Sequence, residues 1–96
     1  MEYCVSLTEN AKEDIGYFEV RDQRIIVGAI LTHLKVDAGV PTKKRKALRP
    51  NPIAPWELRI DRFRIFYVIE GDQVKVVAVG QKEHNEIFVR GYKVEL

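Results

Sequence analysis

WELRIDRFRIFYVIEGDQVKVVAV, residues 56–79, contains three runs in which apolar and polar residues alternate. Two turn signals separate the runs, the weaker Asp61–Arg62 and the stronger Gly71–Asp72. A period of two is typical of a half-buried strand, and two-residue turns join antiparallel neighbours. The stretch therefore predicts a three-stranded antiparallel meander.

Two-residue turns also determine the register of the meander, and with it the residues on each face. The predicted facing pairs are Ile60–Phe63, Leu58–Ile65, Trp56–Tyr67, Ile69–Val74, Tyr67–Val76 and Ile65–Ala78. The second face receives Glu57, Arg59, Arg64, Phe66, Val68, Lys75, Val77, Val79 and Gln81. On that face Arg59 and Arg64 become direct cross-strand neighbours, with Glu57 two residues along.

Two opposed arginines destabilise a sheet unless something lies between them. A phosphate fits, because a guanidinium presents paired donors that match phosphate oxygens. The alternative is a solvated pair held apart by water. Phe66, Val77 and Val79 would form an exposed apolar floor beside the pair, which also indicates a partner.

The residues before the meander predict one strand and two helices. Residues 2–7 alternate as a short strand, and helical spacing follows over residues 8–18, where Ser6 or Thr8 can act as N-cap. Asp22 can cap a second helix. The apolar positions of that helix are Ile26, Val27, Ile30, Leu31 and Leu34. The sequence predicts an α+β fold in the order β-α-α-β-β-β, in which a helical hairpin packs on an antiparallel sheet. Arg90–Gly91 can turn a short C-terminal hairpin.

A basic loop of nearly twenty residues, from Gly39 to Pro55, joins the helices to the meander. Residues 1–22 carry two basic and six acidic side chains, a balance of −4, whereas residues 43–64 carry eight basic and two acidic ones, a balance of +6. Such a segregated block predicts a polyanion-binding surface, although a solvated loop remains the alternative. The candidate nucleic-acid-binding cations are Lys43, Lys44, Arg45, Lys46, Arg49 and Arg62.

Length and composition bound the class of protein. With 96 residues the chain is expected to form one domain, residues 1–96, and 46% apolar with 31% charged residues is ordinary for a globular protein. The single cysteine, Cys4, excludes a disulfide framework and is expected to be a small core residue. No run spans a bilayer and no signal peptide is apparent, so we expect a cytoplasmic protein. No metal-ligand or cofactor motif occurs, and we expect neither group.

The segment GQKEHNEIF, residues 80–88, holds the remaining candidates for chemistry. Lys82 is a flexible point charge, and His84 titrates near neutral pH. Glu57 could accept a proton while Lys82 or His84 donates one. His84 taken alone fits an exposed loop residue better than an acid catalyst, and His33 is expected to be structural.

The order of elements, with ALRPNPIAPWELRI, FRIFYVI and VVAVGQKEHNEIF, resembles the RelE/ParE superfamily of type II toxin–antitoxin toxins. The resemblance covers nearly the whole chain, although EIFVRGYKVEL departs from the helical ending of RelE. It implies a ribosome-dependent mRNA endonuclease that promotes attack of a 2′-hydroxyl on the adjacent phosphate. It also implies a cognate antitoxin as partner, mRNA and ribosomal RNA as contacts, and Arg59, Arg64 and Lys82 as catalytic cations.

Two positions depart from the family pattern. Glu57 stands where RelE has a lysine, and Phe88 stands where RelE has a catalytic tyrosine. Phe88 can still stack on a base, and we hypothesise that Glu57 as base and His84 as acid replace the missing groups. The alternatives are a ParE-like gyrase inhibitor and an attenuated toxin that only binds its antitoxin.

Overall fold

The computed structural model describes all 96 residues and has the predicted α+β architecture, with two helices packed on a mostly antiparallel sheet. The elements in chain order are β1 Cys4–Leu7, α1 Glu9–Gly16, α2 Val20–His33, β2 Arg45–Ala47, β3 Trp56–Ile60, β4 Phe63–Glu70, β5 Gln73–Glu83, β6 Glu86–Val89 and β7 Tyr92–Val94. The sheet order is β2-β3-β4-β5-β6-β7, and β1 pairs in parallel with β5. None of the helices has the length and apolarity needed to cross a membrane.

The predicted register of β3 and β4 is confirmed in full, including the facing of Arg59 and Arg64. Between β4 and β5 the pairs Ile69–Val74 and Tyr67–Val76 are confirmed, but the predicted Ile65–Ala78 pair is wrong. Ile65 faces Val79 instead, because the register shifts between Phe66 and Tyr67. An extra residue in one strand reverses the faces beyond it. Val79 and Gln81 therefore move to the helix side of the sheet.

The opposite edge of β5 has a gap between the stretch that pairs with β1 and the stretch that pairs with β6. Side chains from the start of the helical hairpin fill this gap. Thr8 Oγ1 donates to the carbonyl oxygen of Val77, and Asp14 Oδ2 accepts the N–H of Val79 at 3.0 Å. A buried backbone group without a partner is costly, so these two side chains replace a missing neighbouring strand.

Both helices begin and end close to the predicted positions. Thr8 caps α1 by accepting the N–H of Ala11, which confirms one of the two candidate caps, but α1 ends at Gly16, before the predicted residue 18. Helix α2 begins at Val20, so Asp22 lies inside its first turn and is not its cap. A carboxylate in the first turn is favoured by the helix dipole.

The core lies between the helices and one face of the sheet. Its members include Ile15, Ile26 and Ile30 from the helices and Leu58, Ile65, Phe63, Tyr67, Val74, Val76 and Val79 from the strands. Phe18 packs edge-on against Phe63, with ring centroids 5.4 Å apart. Cys4 is exposed, so its predicted core position is wrong: Tyr3, Val5 and Leu7, which alternate with Cys4 along the chain, pack against the core.

The basic loop is not structureless as predicted, because it contains β2, which pairs with β3. Asn51 shapes the rest of it: its Oδ1 accepts the N–H groups of Ile53 and Ala54, and its Nδ2 donates to the carbonyl oxygens of Arg49 and Ala54. The C-terminal hairpin is confirmed, with the turn at Arg90 and Gly91.

Candidate anion-binding site on the sheet

The sheet face that points away from the helices carries Glu57, Arg59, Arg64 and Phe66, and is called the arginine face below. Arg59 and Arg64 are directly paired across β3 and β4. Glu57 Oε1 accepts a hydrogen bond from Arg59 Nε at 2.6 Å. The Glu57 side chain is only 3% exposed, whereas that of Arg59 is 46% exposed. The Nη atoms of Arg59 have no hydrogen-bond partner in the chain, and so this guanidinium can still bind an anion.

Arg64 is more deeply placed than Arg59, with 9% of its surface exposed. Its Nη1 donates to the carbonyl oxygens of Asp61 and Phe63, each at 2.8 Å, which anchors the side chain to the β3–β4 turn. Burial lowers the pKa of the Arg64 guanidinium, Glu57 opposes this shift, and Arg59 adds to it. Arginine stays protonated in proteins despite such shifts. Arg64 is therefore a partly buried cation whose charge Glu57 compensates incompletely.

Lys82 lies on the same face as the arginine pair. Arg64 is paired with Gly80, and Lys82 follows Gly80 by one strand period. The Lys82 side chain is exposed and forms no ion pair. The backbone N–H of Lys82 donates to the carbonyl oxygen of Arg62 at 2.7 Å. The structure thus brings three predicted cations, Arg59, Arg64 and Lys82, to one face of three consecutive strands.

His84 and Phe88 occupy different surroundings. His84 is exposed in the β5–β6 turn, where it and Asn85 have φ values of +49° and +68°. Phe88 is paired with Gln81, which lies on the helix side of the sheet beyond the irregularity in β5. The structure therefore does not bring Phe88 to the arginine pair, whereas His84 is two residues from Lys82.

The predicted apolar floor of the arginine face is not exposed as predicted, since only Val77 of its three members keeps partial exposure. Phe66 is fully buried, and Val79 belongs to the core on the other face. Strand β6 runs close against β5 on this side, since a β-carbon on Gly80 would lie 2.3 Å from the Phe88 carbonyl oxygen. Any apolar surface for a partner must therefore be sought elsewhere on the molecule.

The predicted cations of the basic loop divide into two groups. Arg45 is committed to the fold, because its Nη1 donates to the His33 carbonyl oxygen at 3.0 Å and its Nε to that of Val40 at 2.9 Å. Arg62 is also engaged, with Asp22 at 2.9 Å, Gln81 at 3.1 Å and the ring of Phe63 beneath it. The cations with no hydrogen-bond or ion-pair partner for their side chains are Lys43, Lys44, Lys46 and Arg49.

His33 has the structural setting that was predicted for it. It ends α2, its carbonyl oxygen accepts from Arg45, and it is partly buried. Burial lowers the pKa of His33, and the charges of Lys44 and Arg45 lower it further. His33 is therefore held neutral at neutral pH beside a basic loop.

Two contacts were not foreseen from the sequence, that of the predicted cation Lys46 with Glu57 and that of Arg90 with α1. Lys46 is paired with Glu57 across β2 and β3, which places a third basic side chain next to the buried carboxylate. Arg90 reaches α1, with its Nε 2.8 Å from Asp14 Oδ1 and its Nη1 3.2 Å from Glu13. The excess of acidic residues in the N-terminal segment was the only available signal for a basic partner of α1.

No protein-family model matches the chain, and no curated protein matches it. Among solved structures, the chain is similar to a chain of the toxin–antitoxin complex RelBE2 from Mycobacterium tuberculosis, with a TM-score of 0.72. The identity is 21%, and the alignment covers 85% of this chain and 100% of that chain. The chain thus has the RelE-like fold, as the resemblance of its motifs implied. This likeness concerns the fold alone.

Proposed function

We propose that this protein is the toxin of a type II toxin–antitoxin system and a ribosome-dependent mRNA endonuclease. The observation that carries the proposal is the cross-strand pair Arg59–Arg64, which keeps unpartnered guanidinium donors and has Lys82 on the same face. The fold shared with a chain of a toxin–antitoxin complex supports the first half of the proposal. The cationic cluster supports the second.

In the proposed reaction the 2′-hydroxyl of a ribose loses its proton to a water molecule, its oxygen bonds to the adjacent phosphorus, and the bond from phosphorus to the 5′-oxygen breaks. The products are a 2′,3′-cyclic phosphate and a strand that begins with a 5′-hydroxyl. Negative charge grows on the non-bridging oxygens, where Arg59, Arg64 and Lys82 stabilise it. His84 is the proposed acid that protonates the 5′-oxygen, because its imidazole is exposed and lies two residues from Lys82.

The exposed cations of the basic loop are proposed to dock the toxin on ribosomal RNA. Lys43, Lys44 and Arg49 are exposed, and Lys46 extends the cationic surface toward Glu57 on the arginine face. Phosphate contacts of this kind supply affinity without sequence specificity. Sequence preference would then come from the codon that the ribosome presents.

The antitoxin is proposed to dock on the outer face of α2, since the arginine face offers no apolar floor. Val20, Val27 and Leu31 lie along one stripe of this helix and are 62%, 40% and 53% exposed. With Arg24 and Gly28 they line a groove of about 380 Å³. An exposed apolar stripe flanked by cations suits an amphipathic helix with acidic edges.

Primer extension on translating ribosomes tests the enzymatic proposal. The wild type should cut mRNA in the ribosomal A site, and Arg59→Ala with Arg64→Ala should reduce cleavage by about 10²–10³-fold for each lost donor. Arg21→Ala is the matched control, because Arg21 is an exposed arginine of α2 outside the site. Loss of DNA supercoiling by gyrase with intact mRNA would instead identify a gyrase inhibitor. Antitoxin binding without either activity would identify an attenuated toxin.

A further inference from the structure

We infer that Glu57 is a built-in counter-ion that holds Arg59 and partly neutralises the Arg59–Arg64 pair until RNA phosphate arrives, and is not the general base of the reaction. This inference rests on the proposed function. It replaces the hypothesis, drawn from the sequence, that Glu57 accepts the 2′-hydroxyl proton. Its basis is the placement of the carboxylate rather than its residue type.

The contacts of Glu57 argue against access to a substrate. A general base must come within about 2.6–3.2 Å of the proton that it removes, directly or through one water. Glu57 Oε1 already accepts from Arg59 Nε at 2.6 Å, and the side chain is 3% exposed. Its strand neighbours are Lys46 on one side and the fully buried Phe66 on the other. An RNA ribose would have to displace Arg59 to reach the carboxylate.

The charges around Glu57 explain why a carboxylate is placed there. Side chains of directly paired residues lie about 4.5–5.5 Å apart at the β-carbon, so two cations at Arg59 and Arg64 repel in the free protein. Glu57 raises the pKa of Arg64, whereas Arg59 lowers it. The Glu57 carboxylate therefore offsets part of the repulsion between the two arginines. The cluster contains one carboxylate, that of Glu57, and three cations, Lys46, Arg59 and Arg64. Its net charge is therefore positive, and it retains affinity for a phosphate.

The counter-ion role and the base role predict different effects of Glu57→Gln on RNA binding and on the rate of cleavage. Glutamine keeps an oxygen for Arg59 Nε but removes the negative charge. If Glu57 is a counter-ion, RNA should bind about 3–10-fold more tightly, because phosphate no longer competes with an internal anion. The rate constant for cleavage should fall by less than tenfold, with an unchanged pH profile. If Glu57 is the base, cleavage should fall by about 10²–10⁴-fold and the acidic limb of the profile should disappear.

The experiment combines binding and single-turnover cleavage for the wild type, Glu57→Gln and Glu70→Gln. Glu70 is the matched control, since it lies in β4 on the arginine face and is ion-paired with Lys75 at 3.0 Å, outside the cationic cluster. Binding is measured with an mRNA that carries a 2′-deoxyribose at the cleavage site, on programmed ribosomes, and cleavage is measured from pH 5 to 9. Thermal unfolding of each variant checks that the fold is kept.

Tighter binding by Glu57→Gln alone, with cleavage within tenfold of the wild type, supports the counter-ion role. Unchanged or weaker binding, or a hundredfold loss of cleavage with a lost acidic limb, overturns it. If the wild type does not cleave mRNA at all, the proposed function fails, but a separate measurement still decides this inference. Binding of a short RNA to the isolated protein should then remain tighter for Glu57→Gln than for the wild type and Glu70→Gln.

Discussion

Gly80 lies directly opposite Arg64 across β4 and β5, and on its other side the Phe88 carbonyl oxygen occupies the place of a side chain. A β-carbon at Gly80 would lie 2.3 Å from that oxygen and 2.9 Å from Val89 Cγ2. The neighbour of Arg64 is therefore backbone, and β6 is held close to the arginine face. Because position 80 has no side chain, the C-terminal hairpin can pack closely against β5.

Gly80→Ala should displace β6 and lower the free energy of unfolding by roughly 1–3 kcal/mol, because backbone and not a flexible side chain blocks the new methyl group. Gly28→Ala is the matched control. Gly28 is within α2 with open space around it, and alanine there should stabilise the protein by about 0.5–1 kcal/mol. Urea denaturation of both variants measures the two effects. Equal changes in the same direction would contradict the close approach of β6.

Phe88→Tyr should leave mRNA cleavage within about threefold of the wild type. The pairing of Phe88 with Gln81 puts the ring on the helix side of the sheet, so a new hydroxyl would not reach the arginine pair. Surface substitutions away from such contacts also change stability little. A large gain in single-turnover cleavage would show that position 88 faces the substrate after all, and would support the attenuated-toxin alternative.

Arg45→Ala and Lys44→Ala should separate structural from electrostatic roles in the basic loop. Arg45→Ala removes hydrogen bonds to two carbonyl oxygens and should lower the free energy of unfolding by about 1–3 kcal/mol. Lys44→Ala should hardly affect stability.

The same two variants should differ in how RNA binding depends on salt. For single-stranded RNA the slope of log K against log salt is about −0.7 for each phosphate contacted. Lys44→Ala should make this slope shallower, which filter binding at several salt concentrations would measure. A wild-type affinity that does not change with salt would contradict docking through the basic loop.

Asp14 should give the protein a pH-dependent stability that Asp14→Asn lacks. Burial raises the pKa of Asp14 above its ordinary value of 3.8, although the Val79 N–H and Arg90 oppose this shift. Because the folded-state pKa is above the unfolded one, the contribution to stability is fully present below about pH 3.8 and is lost as pH rises through the folded-state pKa. The wild type should therefore lose stability relative to Asp14→Asn between pH 3.5 and 7.

Urea denaturation of the two proteins at each pH measures this difference directly. Asparagine can still accept the Val79 N–H through its carbonyl oxygen, but its amide nitrogen would then face Arg90 Nε, so Asp14→Asn removes both the charge and the contact with Arg90. The difference in the free energy of unfolding between the two proteins could instead stay constant, or grow in favour of the wild type, as pH rises. Either result would show that the attraction of Arg90 outweighs the cost of burying the carboxylate.

Val27→Glu and Leu31→Glu should abolish binding of the antitoxin while mRNA cleavage is retained. A carboxylate in the apolar stripe of α2 would have to be buried in the complex, which costs free energy. It would also repel the acidic side chains of the partner. Co-purification with the antitoxin and growth after induction give the two readouts. Ile25→Glu, on an exposed part of α2 outside the groove, is the control. Normal complex formation by both groove variants would move the docking surface elsewhere.

The sequence was most informative for β3 and β4, because β3 alternates strictly and a two-residue turn joins it to β4. The pairing of Arg59 with Arg64 follows from this pattern, because no irregularity intervenes between β3 and β4. In β5 the run Val76–Val79 is apolar at every position, so alternation cannot show which residue is extra. The reversal that carries Val79 into the core, and Phe88 with Gln81 to the helix side, was therefore not predictable.

The site was predicted in its residue types but not in its contacts. A three-residue strand such as β2 is too short to show a period, so the neighbourhood of Lys46 and Glu57 was not foreseen. The engagement of Arg45 with carbonyl oxygens was also hidden, since it depends on where α2 ends. Charge alone could not separate cations that hold the fold together from cations that remain free.

The long strand β5 has one further consequence. Along a single edge it accommodates the first strand of the chain up to Val76 and the C-terminal hairpin from Gln81, with Thr8 and Asp14 bridging the interval. Force or strain applied to the hairpin is therefore transmitted through α1 as well as through the sheet, and Arg90 provides the second attachment point. A molecule that binds this hairpin would therefore contact a part of the chain that is attached both to β5 and, through Arg90, to α1.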